Sequence, residues 1–221
     1  MEQTLSRFFA KVYSWTFLGL TVSALAAMGV NSSPSAQLWL YTHPWIIFVL
    51  IIVEFVLVGY LVGRLDTMSA GAANGFYFLY ALLNGITLAS IFVYYDTGTV
   101  SQAFFIAALM FIVMSVIGFI TKADLSKMGT ILFMGLIGII IAMLINMFLR
   151  SDTFDYVLSI ITVVVFMLLT LYDTKKLKGY YNVVHDNTEQ LSKMATVGAL
   201  SLYLDFINIF LALLRIIGRN R

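Results

Sequence analysis

The sequence predicts an all-helical integral membrane protein with seven transmembrane helices. Of its 221 residues, 61% are hydrophobic and only 11% are charged, whereas soluble domains normally carry about 25% charged residues. Apolar segments of about 20 residues, the length that a bilayer requires, recur along the whole chain. We therefore expect one transmembrane domain that covers residues 1–221.

The absence of cysteine and the weak net charge narrow the possible chemistry. With no cysteine in the chain, disulfides and thiolate metal sites are excluded. The formal net charge is only +2, and the sequence contains no soluble domain or low-complexity segment. We expect the lipid bilayer to surround the protein, and we expect no nucleic-acid partner.

The predicted transmembrane helices follow one another closely. The first apolar segment, residues 13–30, has no A-x-A-like cleavage site, so we interpret it as a retained helix and not as a signal peptide. Residues 31–44 are predicted to form a loop that contains Pro34, and Pro44 suits the first turn of the next helix. The other six helices are predicted at residues 45–63, 72–94, 100–120, 129–149, 155–177 and 194–217.

The distribution of basic residues predicts a cytoplasmic N-terminus. With that orientation the inner segments hold nine basic residues and the outer segments hold four, as the positive-inside rule requires. The inner residues are Arg7, Lys11, Arg64, Lys122, Lys127, Lys175, Lys176, Lys178 and Lys193, and the outer ones are Arg150, Arg215, Arg219 and Arg221. The C-terminal tail is either outside, after seven full crossings, or inside, if the last segment is re-entrant.

The last predicted helix carries an acid in its middle, Asp205. An aspartate at mid-bilayer depth costs roughly 3 kcal/mol on insertion scales, and such residues usually mark ion pathways or proton relays. Helical spacing places it on one small or polar stripe, which consists of Gly198, Ser201, Asp205, Asn208 and Ala212. We expect this stripe to be hidden and the bulky positions to lie elsewhere. The stripe is either a packing surface with one neutralised acid or an ion or proton site.

Three further charged residues lie outside the predicted loops. Glu54, in the second helix, is either a protonated acid bonded to a neighbour or part of an ion pathway. Arg64 closes the inner end of that helix, where an interfacial anchor is the simplest interpretation. Asp173 lies in the sixth helix about 8 Å inside the boundary, and Asp205 about 12 to 18 Å inside, at about 1.5 Å per residue. Spacing alone therefore does not bring the two aspartates together.

Several motifs resemble one known family. They are Leu-Tyr-Asp-Thr-Lys-Lys-Leu at residues 171–177, Gly-Ala-Leu-Ser-Leu-Tyr-Leu-Asp-Phe-Ile-Asn-Ile-Phe-Leu-Ala-Leu-Leu-Arg-Ile at 198–216, Asn-Gly-Ile-Thr-Leu at 84–88 and Thr-Lys-Ala-Asp-Leu-Ser at 121–126. Together with the seven-segment plan, these motifs resemble the bacterial branch of the Bax inhibitor family over nearly the whole chain.

The resemblance implies a last helix that is central and surrounded by the other six. It also implies a pH-sensitive calcium leak channel of the bacterial inner membrane, which conducts calcium, responds to protons and needs no cofactor. By the same resemblance, Asp173 and Asp205 form a hydrogen-bonded, proton-sensing pair, Arg64 latches that pair, and Glu54 matches an acid of the second helix. One copy should suffice for function, because six helices around one form a self-contained plan.

The chemistry of paired acids agrees with this expectation. Two carboxylates in one desolvated site cannot both ionise cheaply, so they hold one proton between them and titrate as a coupled pair. Loss of that proton leaves two like charges, which repel unless Arg64 or a calcium ion intervenes. Calcium prefers six to eight oxygen ligands, so Asp173, Asp205, Asn208 and water would form only a loose site. Loose binding suits a leak, because permeation requires weak sites.

Two other functions stay open. An intramembrane aspartyl protease also pairs two aspartates, one of them in a Tyr-Asp motif such as Tyr172-Asp173. However, such proteases use Gly-x-Gly-Asp at the second acid and a later Pro-Ala-Leu, whereas Leu-Tyr-Leu precedes Asp205 and the only prolines are Pro34 and Pro44. We therefore expect no enzyme. A regulator or binding partner of a membrane protease or cell-death factor is the second alternative.

Overall fold

The structure is a computed structural model that describes residues 2–184 and 187–219. Arg221, which the orientation argument places in the outer tail, lies outside the described residues.

Nine helices make up this part of the chain. They are α1 (Glu2–Asn31), α2 (Pro34–Thr42), α3 (Trp45–Gly63), α4 (Ala70–Leu88), α5 (Ile91–Tyr94), α6 (Thr97–Ile120), α7 (Ser126–Leu149), α8 (Asp152–Val184) and α9 (Thr188–Gly218). Within the described ranges, seven helical spans are long and apolar enough to cross a membrane, and α4 and α5 together form one of them. This confirms the predicted seven-helix membrane protein.

The prediction of a loop over residues 31–44 is wrong, because the short helix α2 occupies most of that segment. Ser33 is its N-cap, and the Ser33 side chain accepts a hydrogen bond from the backbone N–H of Ala36 at 3.4 Å. Pro34 follows at the first helical position, where its fixed φ favours a helix and its missing N–H costs nothing. Pro44 is the N-cap of α3, just before the first turn, and α3 has the predicted bounds, Trp45–Gly63.

Other helix ends also differ from the predicted ranges. The segment predicted as one helix over residues 72–94 breaks at Ala89 and Ser90, between α4 and α5. Helix α8 continues seven residues past the predicted end at residue 177. One lysine side chain supports that extension, since Lys178 Nζ donates to the Phe119 carbonyl at 3.3 Å and lies 5.0 Å from the centre of the Phe119 ring.

The backbone divides into two compact units, and α8 and α9 each contribute to both. The first unit comprises Met1–Asp96 and Tyr180–Tyr203. In it, α4 packs against α1 and α3. The α1–α4 approach is close at Gly85, where an added Cβ atom would collide with the backbone of Ser23.

The second unit comprises Thr97–Gly179 and Leu204–Arg221. Gly118 of α6 lies against the Leu171 carbonyl and the Thr174 side chain of α8, so these two helices also approach closely. The division into units leaves the predicted single domain as a prediction.

The last helix, α9, is the most buried span. Within its most apolar 18-residue stretch 72% of the residues are buried, against 11–33% in the other six spans. This confirms the predicted central position of the last helix. The expectation that only one stripe is hidden is wrong, because Leu200 and Leu202 lie off the stripe and are 2% and 0% exposed. A central helix is enclosed on several sides, so its bulky residues are buried as well as its small ones.

Candidate functional site

The second unit brings the two aspartates together. Asp205 on α9 is 3% exposed, and Asp173 on α8 is half-buried. The two carboxylates are close enough to interact electrostatically, and the Thr170 hydroxyl lies within hydrogen-bond reach of Asp205. Thr170 is fully buried, and its hydroxyl donates its hydrogen to the Phe166 carbonyl at 2.9 Å. The structure therefore brings two acids within electrostatic reach of each other, which sequence spacing alone could not establish.

The acid of the second transmembrane helix belongs to a different polar group, in the first unit. Glu54 on α3 is 7% exposed. The side-chain amide of Asn84 donates to Glu54 Oε2 at 2.8 Å, and the Thr87 hydroxyl donates to Oε1 at 2.6 Å. The phenol of Tyr203 donates to Asn84 Oδ1 at 2.8 Å, and Ser23 Oγ lies 2.7 Å from the same phenol. We call these five side chains the Glu54 network.

The geometry of the Glu54 network tolerates both charge states of its acid. A side-chain amide nitrogen can only donate, so Glu54 Oε2 must be an acceptor. A hydroxyl can either donate or accept a hydrogen bond. If Oε1 carries a proton, the Thr87 hydroxyl can accept a hydrogen bond from it and donate its own hydrogen to the Leu83 carbonyl, 3.2 Å away. Glu54 therefore keeps both hydrogen bonds whether it is ionised or protonated, and both interpretations of it, a bonded acid or part of an ion path, stay predictions.

Sequence reasoning identified Glu54 but missed its four partners. Asn84 and Thr87 lie in the Asn-Gly-Ile-Thr-Leu motif, and Tyr203 lies two residues before Asp205. The only available signal was that these polar side chains fall within predicted membrane spans. These side chains meet only because of how the helices pair, and their spacing in the sequence does not predict that pairing.

Arg64 lies at the end of α3 and is exposed. Its backbone N–H donates to the Tyr60 carbonyl at 2.9 Å, and the Thr67 hydroxyl donates to the Arg64 carbonyl at 3.0 Å. These contacts fix the backbone at the helix end. The latch role of its guanidinium stays a prediction.

Asn208 is half-buried on α9, and its amide nitrogen donates to the Leu204 carbonyl of the same helix at 2.8 Å. The amide oxygen takes no part in this bond, and a role for it in an ion path stays a prediction. Over the described ranges, no group of three or more histidine, cysteine, aspartate or glutamate side chains could hold a metal ion. Because calcium takes six to eight oxygen ligands, the two aspartates and Asn208 would need water or further oxygens to bind it.

Comparisons with known proteins agree on one family. A family model described as "Inhibitor of apoptosis-promoting Bax1" matches residues 5–221. The chain is 41% identical over 218 residues to the inner membrane protein YbhL of Escherichia coli strain K12, which covers 98% of this chain and 93% of that protein. It is 40% identical over 216 residues to an uncharacterized protein of Borreliella burgdorferi, and the match covers 98% of this chain and 93% of that protein. It is also 35% identical over 221 residues to the uncharacterized protein RP147 of Rickettsia prowazekii, with 100% and 92% covered. The chain therefore belongs to the Bax inhibitor family of integral membrane proteins.

Proposed function

We propose that the protein is a pH-sensitive calcium leak channel, gated by a proton that Asp173 and Asp205 share. One observation carries the proposal: a buried aspartate on α9 lies beside a second aspartate on α8, inside a membrane-spanning unit. Acids at this depth are costly and usually serve an ion path or a proton relay. Calcium is the transported ion here, not a resident cofactor.

The gate works through the number of protons on the pair. One shared proton forms a short bond that ties α8 to α9. Its loss leaves two like charges, which push the helices apart unless a cation lies between them. Two carboxylates and the amide oxygen of Asn208 bind calcium only weakly, and weak binding lets an ion leave again.

The remaining predicted residues have supporting roles in this proposal. Arg64 latches the pair in the closed channel, a role that rests on the family resemblance. Glu54 and Asn208 belong to the ion path. The N-terminus faces the cytoplasm of a bacterial cell, the membrane is the inner one, and one copy forms the channel. The inner membrane name of YbhL supports this location.

Ion flux in proteoliposomes tests the proposal. The purified protein should release calcium at a rate that changes with pH, and the rates for sodium and potassium should be compared under the same gradients. No calcium flux above that of protein-free liposomes, at any pH between 5 and 8, would overturn it; this range is about where protein protonation switches operate.

The description of the family model favours a second candidate function, a regulator or binding partner of a cell-death factor. Such a protein needs no ion path, so liposomes that contain it would stay impermeable to calcium, although the protein would still bind its partner. The flux assay on the purified protein therefore separates the two functions, because it contains no partner.

A further inference from the structure

Three buried oxygen atoms of the second unit have no hydrogen-bond partner among the described residues, and two of them concern the aspartate site. These two are Ser115 Oγ on α6 and Asp205 Oδ2 on α9. Ser115 is 6% exposed and Asp205 is 3% exposed, so neither atom faces lipid or bulk water. An unpaired buried polar atom is costly, and folded proteins usually pair it with protein or with ordered water.

The packing of α6 against α8 places Ser115 at the level of the aspartate site. Gly118 follows Ser115 by three residues and shares its helix face. Because Gly118 lies against Leu171 and Thr174, and because α6 and α8 cross the membrane in the same direction, Ser115 lies level with the preceding turn of α8. That turn contains Thr170, whose hydroxyl is within reach of Asp205.

The packing of α6 against α9 supports the same placement. Phe111 lies one turn before Ser115, and its ring centre is 5.7 Å from that of Phe206, the neighbour of Asp205. Towards the start of α6, the ring centre of Phe104 is 6.2 Å from that of Phe210. Residue numbers therefore rise along α6 as they fall along α9. The two helices are therefore antiparallel.

Side-chain direction then brings the two unpaired atoms closer in level. Side chains on a helix lean towards its N-terminus. In an antiparallel pair the two N-termini lie at opposite ends, so side chains on the two helices lean in opposite directions. The Ser115 side chain therefore leans towards the level of Asp205, and the Asp205 side chain leans towards the level of Ser115. Ser159 Oγ, also unpaired, is 11 residues before Thr170 on α8 and therefore about 16 Å away along the helix.

We propose that Ser115 belongs to the aspartate site and that Ser115 Oγ and Asp205 Oδ2 bind one buried water between them. The serine hydroxyl donates to the water, the water donates to the carboxylate oxygen, and the Thr170 hydroxyl is a third polar group at that level. Buried waters typically make about three such bonds. For a calcium ion at the site, the serine and the water add two oxygens to those of the aspartates. That last role rests on the proposed function, whereas the shared water does not.

Thermal unfolding of the purified full chain in detergent tests the shared water. If Ser115 holds it, Ser115→Ala should lower the melting temperature by about 2–4 °C. The loss should shrink in an Asp205→Ala background, because the water has then already lost its carboxylate partner. Ser159→Ala is the matched control, and its effect should add to that of Asp205→Ala. If Ser115 Oγ binds no water, Ser115→Ala should instead leave the melting temperature unchanged or raise it, since the substitution removes an unpaired buried hydroxyl.

A second measurement does not depend on a stable alanine variant. Because the chain contains no cysteine, Ser115→Cys introduces a single S–H group whose infrared stretching band reports its hydrogen bond. Ala103→Cys, at a fully buried position on the same helix, is the control. We expect the Ser115→Cys band at lower frequency than the control band, with a return towards it in the Asp205→Ala background. Additive unfolding effects, or identical S–H bands at the two positions, would each overturn the shared water whatever the calcium flux.

Discussion

Tyr203 on α9 donates a 2.8 Å hydrogen bond to Asn84 on α4, and so joins the most buried helix of the protein to the acid Glu54. Tyr203 is fully buried, and Glu54 is 7% exposed. In a bilayer such groups have no water to replace a lost partner, so this link should matter for stability.

Tyr203→Phe should destabilise the protein, because it leaves Asn84 Oδ1 without its donor. The expected loss is about 1–3 kcal/mol, the usual cost of an unpaired buried polar atom. Thermal unfolding in detergent measures it. Tyr80→Phe is the control, since the ring of Tyr80 packs 5.6 Å from that of Tyr203 and Tyr80 is not one of the five hydrogen-bonded side chains of the Glu54 network. Equal losses for the two variants would contradict the importance of the network.

Two glycines of α4 should respond oppositely to alanine. Gly85→Ala places a methyl group against the Ser23 backbone and should cost about 1–3 kcal/mol, as overpacking usually does. Gly75 has no atom within 4 Å of an added Cβ, so Gly75→Ala should stabilise the helix by about 0.5–1 kcal/mol. The denaturation midpoints of the two variants, each compared with that of the wild type, test these opposite effects. A tolerated Gly85→Ala would show that α1 and α4 do not approach as closely as described.

The loop between α6 and α7 contains an acid with a clear pH signature. The Ser126 hydroxyl and the Ser126 backbone N–H, the latter at 3.0 Å, both donate to Asp124, and these bonds lower the pKa of its carboxyl. They therefore support the folded loop above the ordinary aspartate pKa of about 3.9, and the support is lost as the pH falls through the lower folded-state value. Ser126→Ala should raise the pKa of Asp124 in an NMR titration. An unchanged value would rule out the serine as its cause.

Arg64 should influence the leak if it acts as a latch. Arg64→Ala should increase calcium leak at neutral pH, and Arg64→Lys should restore closure only in part, because lysine lacks the planar fork that fits a carboxylate. Proteoliposome flux measures both variants. Arg7→Ala is the control, an exposed arginine of the predicted inner side. Wild-type flux in Arg64→Ala would leave Arg64 as an interfacial anchor.

Composition predicted the seven spans, whereas the central last helix was implied by the resemblance to the Bax inhibitor family. Length and hydropathy define a span, and a helix with a mid-membrane acid such as Asp205 has to avoid lipid. The motif resemblance paired that residue with Asp173, which helix spacing could not do. The interaction between the two carboxylates agrees with that pairing.

The rest depends on how helices pair, which no single stretch of sequence encodes. The hydrogen bonds of Glu54 join residues 30 and 33 positions apart, and Ser23 and Tyr203 lie 180 positions apart. Small residues on α9 predicted one hidden stripe, but enclosure also buries Leu200 and Leu202. Helix α2 was missed for a different reason: a connection that contains proline is typical of a loop, but Pro34 also suits the first position of a helix that follows the Ser33 cap.

Calcium flux across pH for Asp173→Asn and Asp205→Asn tests the central claim most directly. Each asparagine keeps the shape of the side chain but cannot share a proton as a carboxylate does. Asp155→Asn is the matched control, an aspartate of the same unit that pairs with Arg215 at 3.7 Å. We expect both pair variants to lose most of the pH response, with or without loss of flux, and the control to keep it. A wild-type pH profile in both pair variants would contradict the shared-proton gate.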